Sequence, residues 1–242
     1  EIPFLDQKGW NILYKNGSTL KKAFAMIRSF WNRFILLFKI RKYDFIFIHR
    51  EASMIGPPIF EWVIAKILRK KFIYDFDDAI WLPNFSDTNA RFQKLKMYRK
   101  VIRIMKWADE ITTGNEYLME FAKTHNSKVS IIPTTIDTES VHCVKGNNES
   151  EKIVIGWTGT HTTVKYLESI LPILDDVYQV SPFTFRIISN QKPDFDRPYI
   201  EFMKWNRNTE IEDLATFNIG IMPMQDDQWT KGKCGFKALQ YM

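Results

Sequence analysis

The sequence predicts an α/β protein with two parallel sheets, each covered by helices on both faces. Three observations carry that expectation. Short apolar runs alternate with segments of helical period along nearly the whole chain. One polar stretch, Val144–Lys152, interrupts the alternation. The length of 242 residues suits two domains of about 100–150 residues. Strands buried on both faces read as continuous apolar runs, so such an alternation argues a parallel sheet.

In the first half, Asn11–Tyr14, Tyr43–His49, Lys71–Phe76, Glu110–Thr113 and Val129–Ile132 read as strands. Between them, Leu20–Lys42, Pro57–Lys70, Asn89–Trp107 and Tyr117–His125 read as helices. Pro57-Pro58 suits a first helical turn, and Asn115 suits a helix cap. In Leu20–Lys42, the residues Phe24, Ile27, Trp31, Phe34, Ile35 and Phe38 share one face, which is expected to pack on the sheet. After Pro133–Asp137 comes the polar linker. A second alternation follows: strand Ile153–Trp157, helix Val164–Tyr178, strand Phe183–Ser189, a short strand near Tyr199–Trp205, helix Glu210–Thr216 and strand Asn218–Met222. Residues 1–142 and 150–242 are therefore expected to form two Rossmann-like domains.

Hydrophobic residues make up 45% of the chain and aromatics 15%, enough to fill two cores and too much for disorder. Cys143 and Cys234 lie far apart, which excludes a disulfide framework and fits a reduced, cytoplasmic setting. No apolar run nears the ~18 residues that span a bilayer, and no basic segment leads into an apolar one at the start. His49, His125, His142 and His161 lack metal-ligand spacing, so no metal is expected. Residues 1–140 carry 23 Lys+Arg against 15 Asp+Glu, a charge of +8, and residues 141–242 carry 11 against 13, or −2, making the overall +6. Either the first half meets an acidic surface or substrate, or it presents a solvated basic face.

Candidate chemistry collects where strands end, the side on which open α/β sheets bind ligands. Lys71–Phe76 runs into Asp75-Phe76-Asp77-Asp78. Strand alternation points Asp75 and Asp77 to one face and Asp78 to the other. One Asp would serve as a cap or turn residue, but three in four positions exceed that need. The preceding strand ends in His49-Arg50-Glu51. His49 alone reads as a structural histidine; beside Arg50 and Glu51 it reads as part of a site for an acidic or hydroxyl-rich acceptor. In the second half, Gly156-Trp-Thr-Gly159 is expected to be a loop whose N–H groups meet a phosphate, a weak motif without a third glycine.

The last stretch is the most informative. Ile219–Met222 reads as a buried strand, followed by a polar turn with Gln225 and Asp226. Gly235 then opens a helix, with Lys231, Lys233 and Lys237 crowding its start. Unpaired N–H groups and the dipole already attract anions there. Surface helices tend to carry acids at that end, so the lysines point to a phosphate.

This order of strand, acidic loop with Trp229, Gly232-Lys-Cys-Gly-Phe-Lys237 and Ala238–Met242 resembles the donor-binding segment of retaining GT-B glycosyltransferases of the family 4 type. His49–Glu51, Tyr74–Asp78 and Pro133–Asp137 resemble the first domain of the bacterial polysaccharide kind. The resemblance implies a GT-B fold, with two Rossmann-like domains facing a cleft and the second incomplete where the chain stops. It implies sugar transfer from a nucleotide-diphosphate sugar to a hydroxyl acceptor, glycan or lipid-linked, with retention and no cofactor beyond the donor itself. The implied donor site is Gly156, Thr158, Gly159, Lys165, Asn190, Gln225, Asp226, Lys233, Gly235, Phe236 and Lys237. His49, Arg50, Glu51, Asp78 and Gly114 would face the acceptor. Asp77, with Asp75 as the nearer substitute, would take the acceptor's proton or balance oxocarbenium charge.

The chain departs from that family at several points. The paired glutamates fall on Gly232 and Gln240, and the phosphate-loop arginine falls on Trp157. Thr135 replaces a turn glycine, where positive φ would be strained. Asp75-x-Asp77 also has the form of the GT-A metal motif, but the two-domain reading argues against that fold. These losses motivate a rival, a nucleotide- or glycan-binding module of GT-B shape without transfer activity. Nucleic-acid binding has no supporting motif. The basic Leu20–Lys42 helix adds an expectation of peripheral contact with anionic lipid at the inner face of the membrane.

Overall fold

Most of the apolar runs become strands near where they are expected, and the strands assemble into two four-stranded parallel sheets. The computed structural model describes residues 2–13, 17, 19–83, 93–143, 152–161 and 163–242. They divide into a first unit, Glu1–Pro133 with Lys231–Lys233, and a second, Thr134–Thr230 with Cys234–Met242.

In the first unit, helices α1 (Gln7–Leu13) and α2 (Thr19–Lys39) precede the sheet. Strands β1 (Phe45–His49), β2 (Lys71–Phe76), β3 (Glu110–Thr113) and β4 (Val129–Ile131) pair in chain order, all parallel. The crossovers hold α3 (Ile59–Trp62), which continues as a π turn over Val63–Ile67, then α4 (Gln93–Lys96) with α5 (Lys100–Trp107), and α6 (Glu116–Lys123). Phe72, Tyr74 and Phe76 alternate inward along β2, and they, Ile104, Met105, Ile111 and Leu118 are all fully buried. Asn115 caps α6 as expected, its side-chain oxygen accepting from Leu118 N at 2.9 Å.

The second unit runs β5 (Val154–Gly159), α7 (Lys165–Glu168), α8 (Leu171–Val180), β6 (Thr184–Ser189), β7 (Ile200–Lys204), α9 (Glu210–Leu214), β8 (Ile219–Gly220), α10 (Gln228–Lys231) and α11 (Phe236–Tyr241). Its sheet order is β7-β6-β5-β8, parallel throughout. The chain winds outward from β5 through β7 and returns to the other side of β5. That reversal is the switch point outside which open α/β sheets place ligands. Trp157, Leu167, Phe183, Phe185, Ile187 and Tyr199 form the core.

Several expectations are corrected. Asn11–Tyr14 is no strand: residues 11–13 close α1, whose start is held by Asp6 accepting from Gly9 N at 2.7 Å, and Tyr14 lies outside the described residues. The face of α2 expected to pack is the exposed one, with Phe24, Trp31 and Phe38 exposed by 69%, 62% and 59%. The packed side instead carries buried Ser29 and half-buried Phe30, whose ring stacks on Phe60 at 5.9 Å. The helix expected over Val164–Tyr178 is broken in two, because Pro172 lacks the N–H that would bond Glu168 and opens α8 instead. Asn218–Met222 pairs only over Ile219–Gly220. Positive φ among described non-glycine residues falls at Arg50, Arg69 and Met97, so Thr135 takes ordinary backbone. Residues 89–92 of the predicted helix and 144–151 of the linker lie outside the described residues.

Candidate functional site

The first unit gathers its candidates at the C-terminal ends of β1, β2 and β3. Register places His49 beside Asp75, and Asp75 beside Thr112. The Asp75 carboxylate is thereby bracketed, 2.7 Å from His49 Nδ1 and accepting from Thr112 Oγ1 at 2.6 Å. Burial alone would raise the Asp75 pKa, but these two hydrogen bonds outweigh it and hold the group below the usual carboxylate value. The same bond raises His49 above the ordinary imidazole value, against desolvation and with help from Asp77.

Arg50 follows with φ 60°, a conformation that costs a non-glycine residue energy and clusters at functional sites. Its own N–H donates to Asp75 O at 2.7 Å, and Glu51 N donates across it to His49 O at 2.8 Å. The tight turn sends the guanidinium back over β2. Nε donates to Asp77 at 2.8 Å and Nη2 to Asp78 at 2.6 Å. Asp78 also accepts from Lys233 Nζ at 2.7 Å. Acids and bases thus alternate along one ladder, from Asp75 through His49, Asp77, Arg50 and Asp78 to Lys233. Side-chain exposure separates the three carboxylates: 42% for Asp77, 23% for Asp75 and 10% for Asp78. Asp77 is the most accessible of the three.

Three site expectations change here. Asp77 and Asp78 do not diverge, since β2 ends at Phe76 and pleat alternation no longer applies. Glu51 turns away from the group and bonds the buried Lys100 at 2.8 Å. Lys231, Lys233 and Lys237 do not share one helix start: Lys231 closes α10, Lys233 belongs with Asp78, and α11 begins only at Phe236. Gly114 sits half-buried just beyond β3. Sequence reasoning missed the second use of Asn115, whose Nδ2 donates to Lys231 O at 3.2 Å and Lys233 O at 3.1 Å. It also missed why Gly232 carries no side chain: a Cβ there would lie 2.7 Å from Ala79 N. The glycine at a position where the resembling family has glutamate was the available signal.

In the second unit, Gly156–Gly159 is strand rather than loop. Its N–H groups are therefore not a phosphate cradle, and Thr158 N donates to Tyr241 Oη at 3.1 Å. A Cβ at Gly156 would sit 2.1 Å from the Phe217 ring, so that glycine serves close packing. Beyond β5, Asn190 at the end of β6 accepts from His161 N at 2.8 Å and lies 3.1 Å from His161 Nδ1. It joins the two strand mouths beside the switch point. Lys237 Nζ lies over the Trp157 ring, 5.0 Å from its centroid. Gly235 has φ 71° and precedes Phe236, the exposed first residue of α11. Lys165 opens α7 and adds to the influences that lower the pKa of Asp227, after the hydrogen bond from Thr230 N. Gln225 and Asp226 are exposed in the segment between β8 and α10. Among the described residues, no group of three or more His, Cys, Asp or Glu is arranged to hold a metal ion.

No family model matches this sequence, and no curated protein matches it. Among solved structures, the fold is similar to a glycosyltransferase from Rickettsia africae ESF-5, with TM-score 0.49 and 13% identity over 78% of this chain and 54% of that one. It is also similar to the Glycosylation Associate Protein (Gap123) complex from Streptococcus agalactiae, with TM-score 0.45 and 15% identity over 82% and 42%. The chain thus spans about half the length of the structures it matches.

Proposed function

We propose that the protein is a retaining glycosyltransferase, moving a sugar from a nucleotide-diphosphate sugar to a hydroxyl acceptor, glycan or lipid-linked, without a metal. The observation that carries this reading is Asp77, an accessible carboxylate at a strand mouth, oriented by Arg50 on strained backbone. In the reaction, the acceptor oxygen bonds the anomeric carbon as the bond to the donor phosphate breaks. The electron pair leaves with the nucleoside diphosphate, and the acceptor's proton passes to Asp77. In the second unit, taken by itself, Lys237 and Lys165 offer positive charge to a nucleoside diphosphate. Asn190 borders the base, and Gln225 and Asp226 meet donor hydroxyls. His49, Arg50 and Gly114 line the acceptor side.

A second reading is a nucleotide- or glycan-binding module without transfer activity. It is favoured by Asp78, which already engages both Arg50 and Lys233, and by the crowding at Gly232. Comparing Asp77→Asn with the parent separates the two. Nucleoside diphosphate release should fall about 10²–10⁴-fold, with kcat and kcat/KM falling together. Melting temperature and affinity for UDP-, GDP-, ADP- or CMP-sugars should stay unchanged. Donor binding by the parent without any turnover would establish the binding module instead.

A further inference from the structure

Helix α2 exposes an apolar stripe that no other described residue of the first unit covers. Leu20, Phe24, Ile27, Trp31, Phe34, Ile35 and Phe38 recur every three or four residues, and each is between 39% and 87% exposed. Within the stripe, Trp31 stacks on Phe34 at 5.9 Å, and Phe34 meets Phe38 edge-on at 5.4 Å. The opposite side fixes the helix in place. Arg33 donates to Ala52 O and Ile2 O at 2.9 Å each, beside buried Ser29 and Ile40. The stripe is thus held outward. A contiguous bulky apolar surface of this kind marks an interaction site.

Charge selects the partner. Residues 19–42 include Lys21, Lys22, Arg28, Arg33, Lys39, Arg41 and Lys42, and no acid occurs between Asp6 and Asp44. At helical spacing, Lys21, Arg28 and Lys39 fall along one rim of the stripe, while Arg41 lies over the Phe38 ring at 5.9 Å. We propose that α2 docks the first unit on the surface of an anionic lipid bilayer, aromatic stripe in the acyl boundary and cations among the headgroups. A second copy would set two such cationic helices against each other, which like charge opposes. Among the described residues no helix is long and apolar enough to cross a membrane, so α2 lies along the surface. This inference is independent of the glycosyl-transfer reading.

Flotation of the whole chain with phosphatidylcholine vesicles, with and without phosphatidylglycerol, tests it. Binding should be at least about tenfold stronger with the anionic lipid and fall at high salt. Phe24→Ser/Trp31→Ser/Phe38→Ser and Lys21→Glu/Arg28→Glu/Lys39→Glu should each abolish it. Lys106→Glu/Lys123→Glu/Lys128→Glu, with the same charge change on exposed sites of the same unit, should retain it. Brominated phosphatidylglycerol should quench parent tryptophan emission more than that of Trp31→Phe, a readout that spares the fold. The proposal fails if the parent does not float with anionic vesicles, if the control triple loses as much as the α2 triples, or if quenching ignores Trp31. A concentration-dependent dimer, abolished by the apolar triple and blind to lipid, would assign the stripe to a second copy and overturn it.

Discussion

His49 and Asp75 hold each other's charged forms, and that reciprocity makes pH a probe of the site. The Asp75 hydrogen bond raises His49 above its ordinary 6.5 in the folded protein. Stability from this source is therefore complete below about 6.5 and lost as pH rises through the raised folded value. Asp75 is shifted down from 3.8, so its contribution is present above that value and lost as pH falls through the lowered one. The first unit should be most stable between the two, and His49→Gln should flatten the decline on the alkaline side. Urea unfolding on either side of the His49 titration measures it; an unchanged slope in the variant would remove the pair from the account. That acids would collect at the β2 mouth was legible, because parallel strands aim their C-terminal ends at ligands. Which acid would do what was not. The φ of 60° at Arg50 is invisible in a sequence, yet it decides that Asp77 and Asp78 converge on one guanidinium.

At the scale of elements, the second sheet depends on glycines that make room for aromatic rings. Three Phe217 ring atoms lie within 2.2 Å of where a Gly156 Cβ would stand, and none is the far end of the ring. Gly156→Ala should therefore cost about 1–3 kcal/mol by overpacking. Phe217→Leu, milder alone, should recover part of the loss in the double variant, and a double-mutant cycle from denaturant unfolding reads the coupling. Additive costs would show that the ring relaxes freely. The motif Gly156–Gly159 was visible in the sequence but its purpose was not, since a strand glycine and a loop glycine look alike until Phe217 is known to lie against it. Helix α2 shows the same limit. Period 3.6 identifies residues sharing a face, but apolar residues occur on both sides of this helix, and periodicity alone cannot choose the packed one. The strands β2, β3 and β6 were read to within one residue of their ends, because each is a run of strand formers with at least every second residue buried.

For the whole molecule, the consequence of two sheets is two separate cores. Ile104 is fully buried in the first unit and Ile187 in the second. Each core has its own strands and covering helices, so each should stabilise its own unit. Ile104→Ala and Ile187→Ala should each cost about 2–5 kcal/mol from lost burial and the cavity left behind. Each loss should stay within its unit: amide exchange should quicken in β1–β3 for Ile104→Ala and in β5–β7 for Ile187→Ala, with the other sheet unchanged. Local opening free energies read peptide by peptide give the answer without assuming a single two-state transition. Equal acceleration in both sheets from either substitution would mean that the two units unfold as one cooperative body. The argument from separate cores would then fail.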